Sequence, residues 1–384
     1  MSWKPTIEEC QSVLETLVKV NTCQPEGNEG KLVDTILEMV PQDIEKIRIE
    51  HTPGRASLIL KVDGETKQGG LAFVGHIDTV ACSDLDQWIY PPHEAAVKDG
   101  ILYGRGSSDM KGGDTSMLLV LKRLLESGKT PKKPIYFCFT ADEENKGAGV
   151  LALIEGHYLD DVDEVFVCEP SAEKISICEK GAIWFRLNAH GIPSHGSRPD
   201  LGVNAVEYAY DFAEKIKAYI GAHPTHPIMG TASASVTKFQ GGNMTNIIPS
   251  SATLEMDVRT VPGISHEELE ETARKICKEL MDQAPGLELQ VEVINNRPAV
   301  ETASDHPFVT ALQKIAGDLG MSTQLRGHHF YTDASQLIPA VPMPFVIAGP
   351  GDDAMAHCLN EKIELASVAR FAALYNEYIE EYYL

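Results

Sequence analysis

Acidic and histidine side chains follow a series of short apolar segments in this chain. Most of these segments have the length and composition of a buried strand, with the polar residues at the end or in the loop that follows. In an open α/β sheet, ligands bind at the carboxyl ends of the strands, so these side chains are expected to lie close together. The residues are His76, Asp78, Asp109, Glu143, Glu144, Glu169 and His357.

These residue types have the chemistry of a metal site. Imidazole and carboxylate groups are ligands that zinc accepts in proteins. Asp78 lies two residues after His76, so in extended geometry both side chains point to one face, and a carboxylate can orient a metal-binding histidine. Glu143 and Glu144 are adjacent acids after an apolar run, where two carboxylates repel unless a cation or a proton intervenes.

Each signal also has an ordinary structural explanation. His76 could be a hydrogen-bonded core histidine, Asp109 an N-cap aspartate, and Glu169 a surface residue at a strand end. The adjacent acids could lie in a solvated turn, and a single histidine such as His357 usually carries no function. The segment GRGSSDMKGG lacks the spacing of a phosphate-binding loop. The metal site is therefore inferred from the signals jointly.

The elements that must position these residues alternate between strand and helix patterns, which predicts an α/β sheet with helices on both faces. Strands are predicted to end at Val62, His76, Thr140 and Glu169, with a later strand in the segment MPFVIA. Helices are predicted over 6–19, 29–39, 111–126, 147–155, 305–319 and 363–382.

The pattern changes between about residue 175 and residue 296. Strand, helix, strand, strand, helix and strand follow one another there, which is the order of a ferredoxin-like βαββαβ unit. The first strand is predicted over the whole segment ISICEKGAIWFRLNAH, and the second helix begins near His266 after the N-cap candidate Ser265. We therefore predict an inserted domain over 180–296 within a domain formed by 1–179 and 297–384.

Composition restricts the partners of the chain. A formal net charge of −23 over 384 residues repels phosphate groups, so no nucleic acid and no anionic membrane is expected as a partner. No apolar run has the length of a membrane span, and the N-terminal residues show no signal peptide. The eight cysteines form no C-x-x-C pair, which favours inert reduced thiols in a cytoplasmic protein over disulfides.

In chain order, the segments GHIDTV, GRGSSDMKGG, TADEEN, CEPS and AHCLNE resemble the motifs of the M20 family of metallopeptidases, and the resemblance covers the whole chain. It implies a mixed-sheet, two-metal exopeptidase-like catalytic domain with an inserted ferredoxin-like domain. It also implies two divalent metal ions, most often zinc and sometimes cobalt or manganese. Asp109 would bridge them, with His76 and Glu169 on one ion and Glu144 and His357 on the other.

The resemblance also implies catalytic roles for residues that do not bind metal. Glu143 would be the general base, and Asp78 would orient His76. A cis peptide bond is implied between Asp109 and Met110. His195 would reach across the interface of a homodimer formed by the inserted domain and stabilise the oxyanion, although a surface loop histidine is the alternative.

Three further residues resemble substrate-binding positions of the family. They are Asn246, Arg259, which could grip a carboxylate, and Gly349, whose loop could offer backbone donors. A surface salt bridge is the alternative for Arg259. The substrate would be a small N-acyl amino acid or a short peptide.

Two features of the resemblance bear on the reaction. Glu169 is typical of the deacylases and carboxypeptidase-like members of the family, whereas aminopeptidase-like members tend to have aspartate there. The segment HGIPSHGSRPDLGVNAVE resembles the acetylornithine deacetylase branch. The segment CEKGAIWF lacks the arginine pair of the desuccinylase branch. The hypothesis is hydrolysis of the amide bond of an N-acyl amino acid. The alternatives are a dipeptidase, a carboxypeptidase or a succinyl-diaminopimelate desuccinylase on the same metal centre, or a catalytically inactive scaffold.

Overall fold

The computed structural model describes residues 3–42 and 44–384, in two compact units. The first unit comprises Met1–Ile177, Glu301–Arg326 and Thr332–Leu384, and the second comprises Cys178–Val300 and Gly327–Tyr331. The sequence-based division had placed residues 327–331 in the first domain. They pack with the second unit because the Lys180 N–H donates to the His328 carbonyl (3.0 Å) and Arg297 lies over the Tyr331 ring.

The secondary structure follows the predicted alternation in the first unit. The helices are α1 (Ile7–Lys19), α2 (Glu29–Met39), α3 (Gly112–Ser127), α4 (Ala148–Glu155), α5 (Ala205–Gly221), α6 (His266–Gln283), α7 (Pro307–Asp318), α8 (Ala334–Ala340) and α9 (Leu365–Tyr382). The strands are β1 (Glu45–Thr52), β2 (Arg55–Val62), β3 (Leu71–His76), β4 (Ala96–Lys98), β5 (Ile101–Tyr103), β6 (Ile135–Thr140), β7 (Glu164–Pro170), β8 (Ile175–Glu179), β9 (Gly181–His190), β10 (Ser233–Gly241), β11 (Ser251–Thr260), β12 (Glu288–Arg297), β13 (Val300–Glu301), β14 (Leu325–His328), β15 (Phe345–Gly349) and β16 (Lys362–Glu364).

The first unit is built on a mixed sheet in which β1, β2, β6, β3, β7, β15 and β8 lie in that order. Strand β3 runs parallel to both β6 and β7, and β15 runs parallel to β7, whereas β1 and β2 are antiparallel to their neighbours. Every residue of β3 is buried. The predicted mixed α/β sheet is confirmed, and its parallel core brings the carboxyl ends of β3, β6 and β7 side by side.

The second unit is a four-stranded antiparallel sheet in the order β10, β11, β9, β12, with α5 and α6 packed on it. Phe185 on β9, Phe212 on α5 and Leu254 on β11 belong to one buried apolar cluster between the sheet and the helices. The Ser265 hydroxyl accepts from the Glu268 N–H and caps α6. Strand order and connectivity confirm the ferredoxin-like βαββαβ unit.

One predicted strand is in fact two strands. Residues 175–179 form β8, which pairs with β15 in the first unit, and residues 181–190 form β9 in the second. The break falls at Lys180. At the next residue, Gly181, a Cβ atom would lie 2.4 Å from the Ala299 backbone nitrogen and 2.6 Å from the Arg297 carbonyl oxygen. The prediction joined the two strands across Glu179, Lys180 and Gly181 because apolar residues resume directly after them.

Short and edge elements were missed from the sequence. Strand β1 is an exposed edge strand with several charged residues, and α8 has Pro339 within its short length. The three-residue strands β4, β5 and β16 pair with one another in a small separate sheet. Among the described residues, no helix is both long and apolar enough to cross a membrane.

Candidate metal and catalytic centre

His76 ends β3 and is the central histidine of the candidate site. Its register partner on β6 is Thr140, so the loop that follows Thr140 begins beside the His76 side chain. The His76 Nε2 atom lies 3.0 Å from Asp109 Oδ1 and 3.4 Å from Glu169 Oε1. These distances are close to the edge of about 3.3 Å expected between ligands of a tetrahedral zinc ion with bonds of 2.0–2.1 Å.

Asp78 does more than orient His76. The Nδ1 atom of His76 lies 3.0 Å from the backbone carbonyl oxygen of Asp78 and 3.7 Å from its carboxylate. The carboxylate instead accepts from the backbone N–H groups of Glu143 and Glu144, at 3.1 and 3.2 Å, and from the Gln24 amide at 2.7 Å. Asp78 therefore fixes the imidazole through its main chain and the adjacent acids through its side chain.

Glu143 and Glu144 lie in a turn that closes on Asp142. The Asp142 residue has a positive φ of 68°, and its carboxylate accepts from the backbone N–H groups of Lys146 and Ala148. It is also paired with Arg55 at 3.0 Å. These hydrogen bonds and this ion pair hold the turn. The backbones of the two glutamates are therefore fixed, and the two residues do not lie in a solvated loop.

Asp109 lies between two histidines. Its Oδ1 atom faces His76 at 3.0 Å, and its Oδ2 atom faces His357 Nε2 at 3.5 Å. His357 in turn lies 2.9 Å from Glu144 Oε2. The peptide bond between Asp109 and Met110 is cis, as predicted. The structure therefore brings all five predicted metal ligands together, with the Asp109 carboxylate shared between two groups of donors.

The electrostatics of the centre reflect a buried cluster of carboxylates. Burial raises the pKa of Glu143 well above its ordinary value, and burial likewise raises the pKa of Glu169 to about 7. Burial acts to lower the pKa of His76, but the Glu169 and Asp109 carboxylates outweigh it and raise that pKa well above its ordinary value. Four buried carboxyl groups share two histidines here, so a bound cation would offset negative charge that the histidines alone do not balance.

The donor set fits divalent metal ions. Ligand atoms of His76, Asp109 and Glu144 lie within 4.8 Å of one another, and so do those of His76, Glu143 and Glu169. Among the described residues, the buried atoms Glu143 Oε1, Glu144 Oε1 and Glu169 Oε2 have no hydrogen-bond partner. Buried carboxylate oxygens normally have partners, so these oxygens point to ligands of another kind. The site could hold two ions, one on each side of Asp109.

Gly349 lies at the end of β15, in the loop predicted to offer backbone donors. Its N–H donates to the Ser171 hydroxyl (3.3 Å), and its carbonyl accepts from the Ser171 N–H (3.1 Å). A Cβ atom at position 349 would lie 2.0 Å from the Cys168 carbonyl oxygen. The glycine therefore allows β15 to approach the end of β7, directly beside Glu169.

The other predicted residues belong to the second unit. His195 and Asn246 lie in adjacent loops, since His195 forms a bridge with Ile247 and the Gly196 N–H donates to the Asn246 carbonyl. Arg259 is at the far end of β11 and pairs with Asp257 at 2.9 Å. It is separated from Ser251 by eight residues, or about 25 Å at the usual strand rise.

Glu361 is a residue of this site that sequence reasoning missed. Its buried carboxylate accepts from the backbone N–H groups of Gly106, Ser108 and Asp109, at 2.8–3.0 Å, and from Arg105 at 2.8 Å. Burial raises its pKa to about 7, while Arg105 and the amides act in the opposite direction. The residue ends the segment AHCLNE, but its partners lie about 250 positions earlier in the chain.

At pH 8, above the pKa of about 7 that burial gives Glu361, replacing Glu361 by glutamine is expected to lower the free energy of unfolding by about 3 kcal/mol, because Arg105 and the loop amides lose a buried anionic acceptor. Urea titration of the metal-free chain measures the effect. Glu364→Gln is the matched control, since the Glu364 side chain is 68% exposed. Equal unfolding midpoints for the two variants would show that Glu361 does not hold the Asp109 loop.

Comparison with known proteins agrees with this geometry. The model of the family described as "Peptidase family M20/M25/M40" matches residues 72–381. A "Probable succinyl-diaminopimelate desuccinylase" of Staphylococcus epidermidis is 26% identical, with 96% of each chain aligned. A tripeptidase structure from Staphylococcus aureus covers 99% of both chains with a TM-score of 0.77 at 21% identity. A dinuclear metal-binding peptidase of the M20 family from Bacillus subtilis covers 97% of this chain and 96% of its own, with a TM-score of 0.71 at 17% identity.

Proposed function

This chain belongs to peptidase family M20/M25/M40 and is a metal-dependent amidohydrolase, and from that premise we propose that it hydrolyses the amide bond of an N-acyl amino acid. The observation that carries the proposal is the position of Asp109. Its two carboxylate oxygens face two different histidines, each of which belongs to a separate group of donors. A carboxylate in that position is suited to bridge two ions, which is a recurring hydrolytic arrangement.

His76, Asp109 and Glu169 would hold one ion, and Asp109, Glu144 and His357 the other. Nitrogen and carboxylate oxygen donors suit zinc, with cobalt or manganese as alternatives. When bound, the pair of ions would supply Lewis acidity to the scissile carbonyl and to a water molecule. Three ligand carboxylates offset much of the charge of two divalent ions, which a buried site requires.

Glu143 would act as the general base. Its Oε1 atom is buried and has no hydrogen-bond partner among the described residues, so it is available to take a proton from water and pass it to the leaving amine. Asp78 would keep this carboxylate in place by accepting from the Glu143 N–H. Burial raises the pKa of Glu143, which makes the carboxylate a stronger base than a solvated glutamate.

We also propose that two copies of the chain complete the substrate site. His195 and Asn246 lie at one end of β11 and Arg259 at the other, so a single inserted unit is poorly suited to present all three to one small substrate. Contribution of His195 from a partner copy resolves this. The exposed edge strand β10 offers a surface for pairing. A stable monomer in light scattering would contradict the assignment of His195.

A desuccinylase or a peptidase on the same metal centre is the second candidate. The Staphylococcus epidermidis relative named above favours the former, and the tripeptidase fold is compatible with the latter. The segment HGIPSHGSRPDLGVNAVE, by its resemblance to the acetylornithine deacetylase branch, supports the first proposal, and Glu169 disfavours an aminopeptidase-like reaction.

A substrate panel separates these reactions. N-acetylornithine, N-succinyl-diaminopimelate, dipeptides and tripeptides would be assayed with the chain loaded in turn with zinc, cobalt and manganese. We expect the highest kcat/KM for N-acetylornithine, whereas a preference for N-succinyl-diaminopimelate would favour the desuccinylase. Rapid peptide turnover without deacylation would reject that class, and no hydrolysis of any substrate would favour the inactive scaffold.

A further inference from the structure

Two cysteines and a histidine converge in the first unit, outside the centre described above. The Cys23 Sγ atom lies 3.6 Å from Cys82 Sγ and 3.6 Å from His93 Nε2, and Cys82 Sγ lies 4.0 Å from the same nitrogen. Cys23 follows α1, whereas the other two lie in the segment after β3. Cys23 is nearly buried, whereas Cys82 and His93 are partly exposed. None of the three has a role in the proposed hydrolysis.

We propose that Cys23, Cys82 and His93 form a third metal site, which binds a thiophilic ion such as zinc. A tetrahedral zinc ion with Zn–S bonds of about 2.3 Å and Zn–N bonds of about 2.0–2.1 Å has ligand-to-ligand edges of about 3.5–3.8 Å. The three measured separations lie at or near those values. Three protein ligands leave the fourth position for water or another small ligand.

The contacts around the cluster favour the forms of His93 and Cys23 that bind a metal. The Nδ1 atom of His93 lies 3.4 Å from the Val18 carbonyl oxygen, a contact that would keep the proton on Nδ1 and leave Nε2 free. The Thr79 hydroxyl donates to Cys23 Sγ at 3.4 Å. Hydrogen bonds from Cys82 and His93 lower the pKa of Cys23, and the thiolate is the form of cysteine that binds metal. The same hydrogen bond between the two thiols raises the pKa of Cys82, so a bound ion would have to displace the proton of that thiol.

The surroundings provide access and a place for a fourth ligand. A cavity of about 750 Å³ opens at the cluster, and the side chains of Glu26 and Glu94 are among those that line it. A metal in the cluster could therefore be reached from outside the unit. A pair of thiols that only formed a disulfide would need neither the histidine nor the carbonyl contact that orients it.

The site would also support the dinuclear centre. Residue Gln24 follows Cys23 directly, and its amide donates to the Asp78 carboxylate at 2.7 Å. The Gln24 N–H donates to the Thr79 carbonyl, and the Thr79 N–H donates to the Thr22 carbonyl. An ion that ties Cys23 to Cys82 would hold this segment against the loop that follows His76.

Cobalt loading gives a test that does not depend on hydrolysis. The proposed ligands of the dinuclear centre are nitrogen and oxygen atoms, so a thiolate-to-cobalt charge-transfer band would report the third site alone. We expect the reduced full-length chain to show this band and to bind three equivalents of cobalt or zinc. The variants Cys82→Ser and His93→Ala are each expected to bind two equivalents, with the band abolished in both.

Cys277→Ala is the matched control, because this thiol is buried on α6 in the second unit and should leave both readouts unchanged. Two equivalents and no band in wild-type protein whose eight thiols titrate as reduced would overturn the proposal. A wild-type band that persists in both cluster variants would do the same. So would a Cys23–Cys82 disulfide that forms during metal loading in place of binding, which would identify a redox pair instead.

Discussion

Replacing Glu143 by glutamine is expected to lower kcat by about 10³-fold, within the range for loss of a general base, while both metal ions stay bound. Glutamine has nearly the same shape but cannot take a proton at neutral pH. The loss should appear in kcat and in kcat/KM alike, because the base acts in the transition state and not in substrate binding.

Glu144 and Glu143 differ in their contacts with the two histidines. Glu144 Oε2 lies 2.9 Å from His357 Nε2, whereas among the described residues the Glu143 carboxylate forms no ion pair with His76 or His357. The backbone N–H groups of both residues are fixed by the carboxylate of Asp78. A glutamine at position 143 keeps that backbone contact, so the fold of the turn should not change.

Metal analysis and steady-state kinetics on the same preparation test this prediction. Glu155→Gln is the control, since Glu155 is an exposed glutamate at the end of α4 and should retain wild-type kcat. If Glu143→Gln turns over at the wild-type rate, Glu143 is not the base. If the variant loses an ion, Glu143 is a ligand, and the ligand assignment must be revised.

The strands that carry the site could be predicted because they are short, apolar and fully covered. Strand β3 begins and ends at the predicted residues, and β6 and β7 differ from prediction by at most a residue at the end that carries the site. Their parallel arrangement then required that His76 and Glu169 meet at one edge. Local sequence was sufficient for these three strands, because each is a short apolar run bounded by polar residues or by proline.

The features that were missed depend on contacts between distant parts of the chain. Nothing in the local pattern of AHCLNE indicates that Glu361 binds the loop before Asp109. Cys23 and His93 are separated by 70 positions and belong to segments without regular structure. The Asp78 carboxylate was assigned to His76 from spacing and from the family resemblance, because the turn that brings the Glu143 N–H closer is not visible in sequence.

Replacing Asp109 by asparagine is expected to weaken binding of both ions of the dinuclear centre, whereas Glu169→Gln is expected to weaken only one. An asparagine side chain offers one oxygen, and its amide nitrogen is not a metal ligand under ordinary conditions. Because the two Asp109 oxygens face His76 and His357 separately, loss of the shared carboxylate affects both groups of donors. Of the two histidines, His76 is the one that lies close to Glu169.

The measurement is metal content after dialysis at equal free zinc, with hydrolysis as a second readout. Asp114→Asn is a demanding control, since Asp114 is also a buried carboxyl on α3 and burial raises its pKa well above the ordinary value. Because the raised pKa keeps Asp114 protonated and neutral, the Asp114→Asn variant should retain both ions. Loss of a single ion in Asp109→Asn, with the other bound at wild-type affinity, would mean that Asp109 is not a bridge, and the two donor groups would have to be treated as independent sites.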